Sequence, residues 1–118
     1  MNGTIPFELA DLNHLVDLQM PKNNLNGVLP TWLGGPYLAP TLARFDVSQN
    51  FLEGSIPQSY YEWTNLRVLK LNHNQLTGEI DYTVGTLVNL LSLELHNNQL
   101  TGGISGAFGN LAQLRKFT

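Results

Sequence analysis

Three charged residues recur at a fixed spacing and are the first candidates for binding chemistry. Asp46, Lys70 and Glu94 lie 24 residues apart and alternate in sign. Such carboxylates and ammonium groups either pair with one another, at about 0 to 1 kcal/mol for an exposed pair, or exchange partners with the charges of a ligand. The sequence leaves both interpretations open, and Arg44 adds a cation just before Asp46.

A strip of amide and imidazole side chains follows these charged positions. Its members are Gln49, Asn72, His73, His96 and Asn97, with Phe51 as an apolar addition. Side chains of this kind hydrogen-bond a peptide backbone or sugar hydroxyls, and an exposed aromatic ring can anchor a ligand. A polar surface is also simply soluble, so ligand binding and solvation both remain as interpretations.

Two histidines are the candidates for metal or acid–base chemistry. His73 and His96 occupy neighbouring repeats one position out of step, which predicts rings within reach of each other. A metal site needs a third or fourth ligand, and Glu94 is the only nearby carboxylate candidate. No nucleophile, base and orienting group recur together either. We therefore predict no metal, no cofactor and no enzymatic activity.

An internal repeat must position all of these residues. The units Leu66, Leu69, Leu71, Asn74, Leu76, Gly78, Ile80 and Leu90, Leu93, Leu95, Asn98, Leu100, Gly102, Ile104 are in register. Two further copies precede them, with three extra residues that we assign to a bulge near residues 34–40. A fixed period of this length is typical of a stacked solenoid.

Each unit contains a Leu-x-Leu segment such as Leu69-Lys70-Leu71. Alternation with period two predicts a short strand whose leucines point inward and whose intervening residue points outward. One coil cannot cover its own apolar face, so neighbouring coils stack and their strands form one parallel sheet.

Two further positions that recur in every repeat have structural explanations. An inward asparagine amide can satisfy backbone donors and acceptors where the chain leaves the strand; these ladder asparagines are Asn23, Asn50, Asn74 and Asn98. The glycines that follow suit a turn with positive φ; they are Gly27, Gly54, Gly78 and Gly102.

The segments Gly3-Thr4-Ile5-Pro6 and Gly54-Ser55-Ile56-Pro57 complete a recognisable pattern, L-x-x-L-x-x-L-x-L-x-x-N-x-L-x-G-x-I-P. The chain resembles plant-type leucine-rich repeat proteins, such as the ectodomains of receptor-like kinases and receptor-like proteins. The resemblance implies an α/β-type repeat solenoid, with a parallel β-sheet on the concave face and irregular or 3-10 turns on the convex face. It also implies that a ligand meets the concave face.

Length and composition limit the remaining possibilities. With 118 residues, 42% apolar and 13% charged, the chain is expected to form a single domain over 1–118. We expect four full repeats, partial repeats at both ends and no polar caps, as in a fragment of a longer array. The net charge of −3 argues against nucleic acid as a partner. No apolar run reaches the ~20 residues of a membrane-spanning segment.

The predicted function is recognition of a protein or peptide ligand, as part of a receptor-like or secreted protein. The alternative is a structural spacer that stacks on neighbouring repeats of a longer chain without contacting a ligand. Family resemblance implies an extracellular or membrane-attached location. Asn2 then becomes a glycosylation candidate, because Asn2-Gly3-Thr4 is an Asn-x-Ser/Thr acceptor in secreted chains.

Overall fold

The computed structural model describes residues 2–11, 14–34, 41–102 and 116–117. Short strands and 3-10 helices recur in the order strand, strand, 3-10 helix. In chain order they are β1 (Asn2–Gly3), η1 (Phe7–Asp11), β2 (Asp17–Gln19), β3 (Asn24–Leu25), η2 (Thr31–Gly34), β4 (Arg44–Asp46), β5 (Glu53–Gly54), η3 (Gln58–Glu62), β6 (Val68–Lys70), β7 (Gln75–Leu76), η4 (Tyr82–Thr86), β8 (Ser92–Glu94) and β9 (Lys116–Phe117).

One parallel sheet runs through the stack in the order β2-β4-β6-β8-β9. Leu18 pairs with Phe45, Phe45 with Leu69, and Leu69 with Leu93. These residues are buried, as the period-two pattern predicts. Pairing partners are 27 residues apart at the first step and 24 at the next two, which confirms the repeat length. Residues 35–40, to which most of the predicted bulge was assigned, lie outside the described residues.

A second, lateral ladder of backbone hydrogen bonds forms where the sequence indicated only turns. β1 pairs with β3 and β5 with β7, both in parallel. Between these pairs Phe51 N donates to Leu25 O at 2.8 Å, and beyond the second pair Gln99 N donates to Leu76 O at 2.8 Å. The chain is extended for only two or three residues here. Such a segment acquires strand pairing because an equivalent segment stacks beside it.

The opposite side of each coil carries the 3-10 helices, which confirms the predicted turns on the convex face. Coils approach very closely there. A Cβ atom added to Gly34 would lie 2.5 Å from the backbone carbonyl carbon of Ser59, so only glycine fits between η2 and η3. Asp81 caps the N-terminus of η4, and its Oδ1 accepts the Thr83 amide at 2.9 Å.

Two neighbouring tyrosines in η3 are buried in different hydrogen-bonding environments. Tyr60 Oη donates to the Pro30 carbonyl at 2.9 Å, whereas Tyr61 Oη makes no hydrogen bond of good geometry. Burial raises the pKa of Tyr61 to about 12, with the Asp81 backbone lowering it and the Asp81 carboxylate raising it further. Burial likewise raises the pKa of Tyr60 well above its usual value of 10.0.

Because of these two buried phenols, we predict that the folded chain loses stability at alkaline pH. Because both pKa values are raised by folding, the unfolded chain loses the protons first. The stability that the two phenols contribute is therefore complete below pH 10 and falls as the pH rises further, over a range that extends to about pH 12 for Tyr61. Replacing Tyr61→Phe should reduce this slope by about 1.4 kcal/mol per pH unit. At neutral pH the variant should gain up to about 1 kcal/mol, because an unpaired buried hydroxyl is removed.

Urea unfolding at neutral pH and across the alkaline range measures both effects. The exposed Tyr82→Phe is the matched control and should leave both the neutral stability and the slope unchanged. An alkaline slope that is identical in Tyr61→Phe and the unmodified chain would contradict the assignment.

Candidate ligand-binding face

The ladder asparagines hold the turns that follow the main sheet. Asn74 Oδ1 accepts the amide of Leu52 at 3.0 Å, and its Nδ2 donates to the carbonyls of Val47 and Leu71, each at 3.1 Å. The amide therefore satisfies donors and acceptors at once, as predicted. Equivalent bonds are made by Asn50 and Asn98, and Asn23 Nδ2 donates to the Pro21 carbonyl at 3.1 Å. The ladder is thus structural.

The residue before each ladder asparagine has a left-handed backbone. The four φ angles are 57° to 58°, at Lys22, Gln49, His73 and Asn97. The sequence did not indicate this, since only histidine and asparagine are enriched in that region of φ/ψ space. Hydrogen bonds compensate for the strain: Gln49 N donates to Asn72 O at 2.9 Å, and His73 N donates to His96 O at 3.0 Å. The side chains of these four left-handed residues are exposed.

The three repeated charges are brought side by side on β4, β6 and β8. The sheet register aligns Asp46 with Lys70 and Lys70 with Glu94. Only one ion pair forms among them, between Lys70 Nζ and Glu94 Oε2 at 3.4 Å. Asp46 instead accepts the Ser48 amide at 3.0 Å and the Ser48 hydroxyl at 2.7 Å through Oδ1. The alternating charge ladder considered from the sequence is therefore incomplete.

Burial on this face differs from the solvated interpretation, which was one of the two that the sequence left open. Asp46 and Glu94 are each 7% exposed and Asn72 is 8% exposed. In a parallel sheet every outward side chain has in-register neighbours about 4.8 Å away, and these cover it on both sides. Lys70 remains half-buried. Asn72 Oδ1 is buried without a hydrogen-bond partner.

His73 and His96 are in contact, as their spacing predicts. Their ring centroids are 5.1 Å apart and their planes cross at 82°. Asn97 Nδ2 lies 3.1 Å from both ring nitrogens of His73, and the amide can donate to the nitrogen that carries no proton. Within the described ranges, no group of three or more His, Cys, Asp or Glu side chains is arranged to hold a metal ion.

Phe51, the apolar candidate from the sequence, lies outside the strands of the main sheet. The left-handed turn at Gln49 redirects the chain, so that Phe51 joins the lateral ladder through its bond to Leu25. Its side chain is 53% exposed there. Arg44 does lie on the sheet, in β4, with its Nε 3.9 Å from Asp17 Oδ2.

Comparisons with known proteins agree with this geometry. The Leucine Rich Repeat family model matches residues 65–87 and 89–111. Receptor-like protein 32 of Arabidopsis thaliana is 38% identical over 72 residues, which cover 61% of this chain and 8% of that protein. The chain thus spans a small part of its curated relatives.

Two solved structures illustrate the likeness in three dimensions. The ectodomain of the Arabidopsis thaliana receptor kinase GASSHO1/SCHENGEN3, solved with CASPARIAN STRIP INTEGRITY FACTOR 2, superposes with a TM-score of 0.93 at 35% identity, over 98% of this chain and 13% of that one. The plant peptide hormone receptor RGFR1, solved with RGF2, superposes with a TM-score of 0.91 at 30% identity, over 97% of this chain and 18% of that one.

The parallel sheet and the asparagine ladder give the chain the fold of a leucine-rich-repeat solenoid, and the family model matches two of its repeats. Its repeats are similar to those of plant receptor-like proteins and receptor ectodomains. In the part of the chain that the structure describes, no helix is long and apolar enough to cross a membrane.

Proposed function

We propose that the chain recognises a peptide or protein segment through the concave face of its main sheet. The observation that carries the proposal is a contrast between the two sides of that sheet. Inward positions repeat leucine or another apolar residue in each coil, whereas outward positions differ from coil to coil. The outward side offers hydrogen-bonding groups that vary from coil to coil, and such variation allows selective binding of one partner over others.

The relatives support the same class of function. RGFR1 is a peptide hormone receptor, and the GASSHO1/SCHENGEN3 ectodomain was solved with a bound factor. We infer that this chain also acts by binding rather than by catalysis, and that it works outside the cell or attached to its membrane. In that location Asn2, which heads the Asn2-Gly3-Thr4 acceptor, is the proposed glycosylation site.

The test is selection of random dodecamer peptides on the immobilised chain, followed by affinity measurements on two variants. The concave variant combines Val68→Glu and Ser92→Arg on β6 and β8. The control combines Val88→Glu and Tyr82→Arg, which are exposed and belong to η4 and the segment just after it. Both variants add one charge of each sign, so the overall charge is unchanged.

Selected peptides should bind the concave variant at least about tenfold more weakly and bind the control as tightly as the unmodified chain. Thermal unfolding of both variants checks that the solenoid is intact. Enrichment of no peptide, or equal binding to both variants, would favour the alternative of a structural spacer or a different binding surface.

A further inference from the structure

We propose that Asn72 and Glu94, with Asp46 on the other side, form an acceptor site for the guanidinium group of an arginine in a peptide ligand. The inference rests on the proposed function and specifies its ligand chemistry. The site lies on the concave face at the centre of the main sheet, where Asn72 is the second residue after the end of β6.

The proposed site contains two buried carboxylates and one lysine, so its negative charge exceeds its positive charge. Asp46 and Glu94 are both 7% exposed, and Lys70 is the cation aligned between them. The Lys70 ammonium pairs with Glu94 at 3.4 Å, while Asp46 forms no ion pair within the described residues. Arg44, the next cation on β4, is directed to Asp17 at 3.9 Å. One buried carboxylate therefore lacks a counterion, and burying such a charge is costly.

Asn72 Oδ1 provides a second, independent indication of a missing donor. It is buried and accepts no hydrogen bond, while its residue is only 8% exposed. Asn72 is two positions beyond Lys70, so their side chains lie on the same face of the sheet. The aligned register then places Asp46 and Glu94 diagonally on either side of Asn72, within reach of a long ligand side chain.

A guanidinium fits this set of acceptors better than a metal ion or an anion. Its planar fork of donors can bond an amide oxygen and a carboxylate together. Calcium requires about six to eight oxygen ligands, and the Lys70 ammonium beside Glu94 repels a divalent ion. Two buried carboxylates and an unpaired carbonyl oxygen also repel an anion. The ligand cation competes with Lys70 for Glu94.

The experiment is an NMR titration of the isotopically labelled full chain with a blocked glycine–arginine–glycine peptide, observed at the side-chain amide of Asn72. The peptide with citrulline in place of arginine has the same shape without the charge. We expect a saturable shift with arginine and at least about tenfold weaker binding with citrulline.

Charge-matched variants locate the effect. Glu94→Gln should weaken arginine binding about tenfold or more, whereas Glu53→Gln, an exposed acid on the lateral ladder, should not change it. Lys70→Met removes the competitor and should strengthen binding by about threefold to tenfold. The stronger binding of Lys70→Met tests the proposed site independently, even if Glu94→Gln perturbs folding.

Equal binding of the citrulline peptide, the same Asn72 shift with calcium chloride alone, or no saturable shift up to about 100 mM peptide would overturn the inference. The proposed function is judged separately by the dodecamer selection. Selected peptides that lack arginine, yet lose affinity for the concave variant, would preserve concave-face recognition and refute the arginine site. A selection without any enriched peptide would refute the proposed function, whatever the titration shows.

Discussion

Replacing Asn74→Ala should lower the free energy of unfolding by about 3 to 5 kcal/mol, because several buried backbone groups lose a partner at once. The substitution leaves the Leu52 amide without its acceptor and the Val47 and Leu71 carbonyls without this donor. Leu52 and Val47 are fully buried, so water cannot replace the missing bonds without opening the coil. Urea unfolding followed by circular dichroism measures the loss.

Asn24→Ala is the control with the same chemical change. Asn24 lies in β3 of the lateral ladder, and its side chain is exposed. We expect this variant to lose less than about 0.5 kcal/mol. Similar losses in Asn24→Ala and Asn74→Ala would show that the ladder amide contributes no more than an exposed one.

Replacing Trp63→Ala should cost about 3 to 5 kcal/mol, because it removes the largest fully buried side chain described in the core. The Trp63 ring stacks on Tyr60 with centroids 4.2 Å apart and lies 5.0 Å from Phe45. Its Nε1 also donates to the Leu33 carbonyl of the preceding coil at 3.2 Å. The substitution opens a cavity and leaves that carbonyl without its donor.

Two comparisons separate these contributions in chemical unfolding. Trp63→Phe keeps an aromatic ring and should lose about 1 to 3 kcal/mol through the missing hydrogen bond and the reduced volume. Trp32→Ala removes a half-buried ring that packs on Phe7 at 5.0 Å and should lose less than Trp63→Ala. A larger loss at Trp32 would contradict the assignment of the core.

The main sheet and its ladder could be predicted from the sequence because both depend on patterns within one coil. Alternation around Leu69-Lys70-Leu71 sets which side chains point inward, and this holds for any strand of that composition. Asn74 could be assigned a role because the chain must leave the strand with its backbone groups satisfied. Gly54 and Gly78 have the predicted positive φ for the same local reason.

Contacts between coils decided the rest. Asp46, Asn72 and Glu94 occupy outward positions, yet they are buried beside residues of neighbouring coils that are 24 or 27 positions away in the sequence. No local pattern could show that Lys70 pairs with Glu94 while Asp46 bonds to Ser48. Lys70 is aligned with an acid on each side, and only the position of its ammonium group in the folded chain decides which acid it pairs with.

The left-handed backbone at Gln49 could not be predicted from the sequence either, since this residue type seldom adopts it and a bond to the next coil helps to stabilise it there. By itself, the sequence determined the solenoid, its register and its inward side. Only the tertiary structure decided which outward groups are exposed, which are paired and which acceptor is left for a ligand, because those properties arise from packing between coils rather than from the order of residues within one.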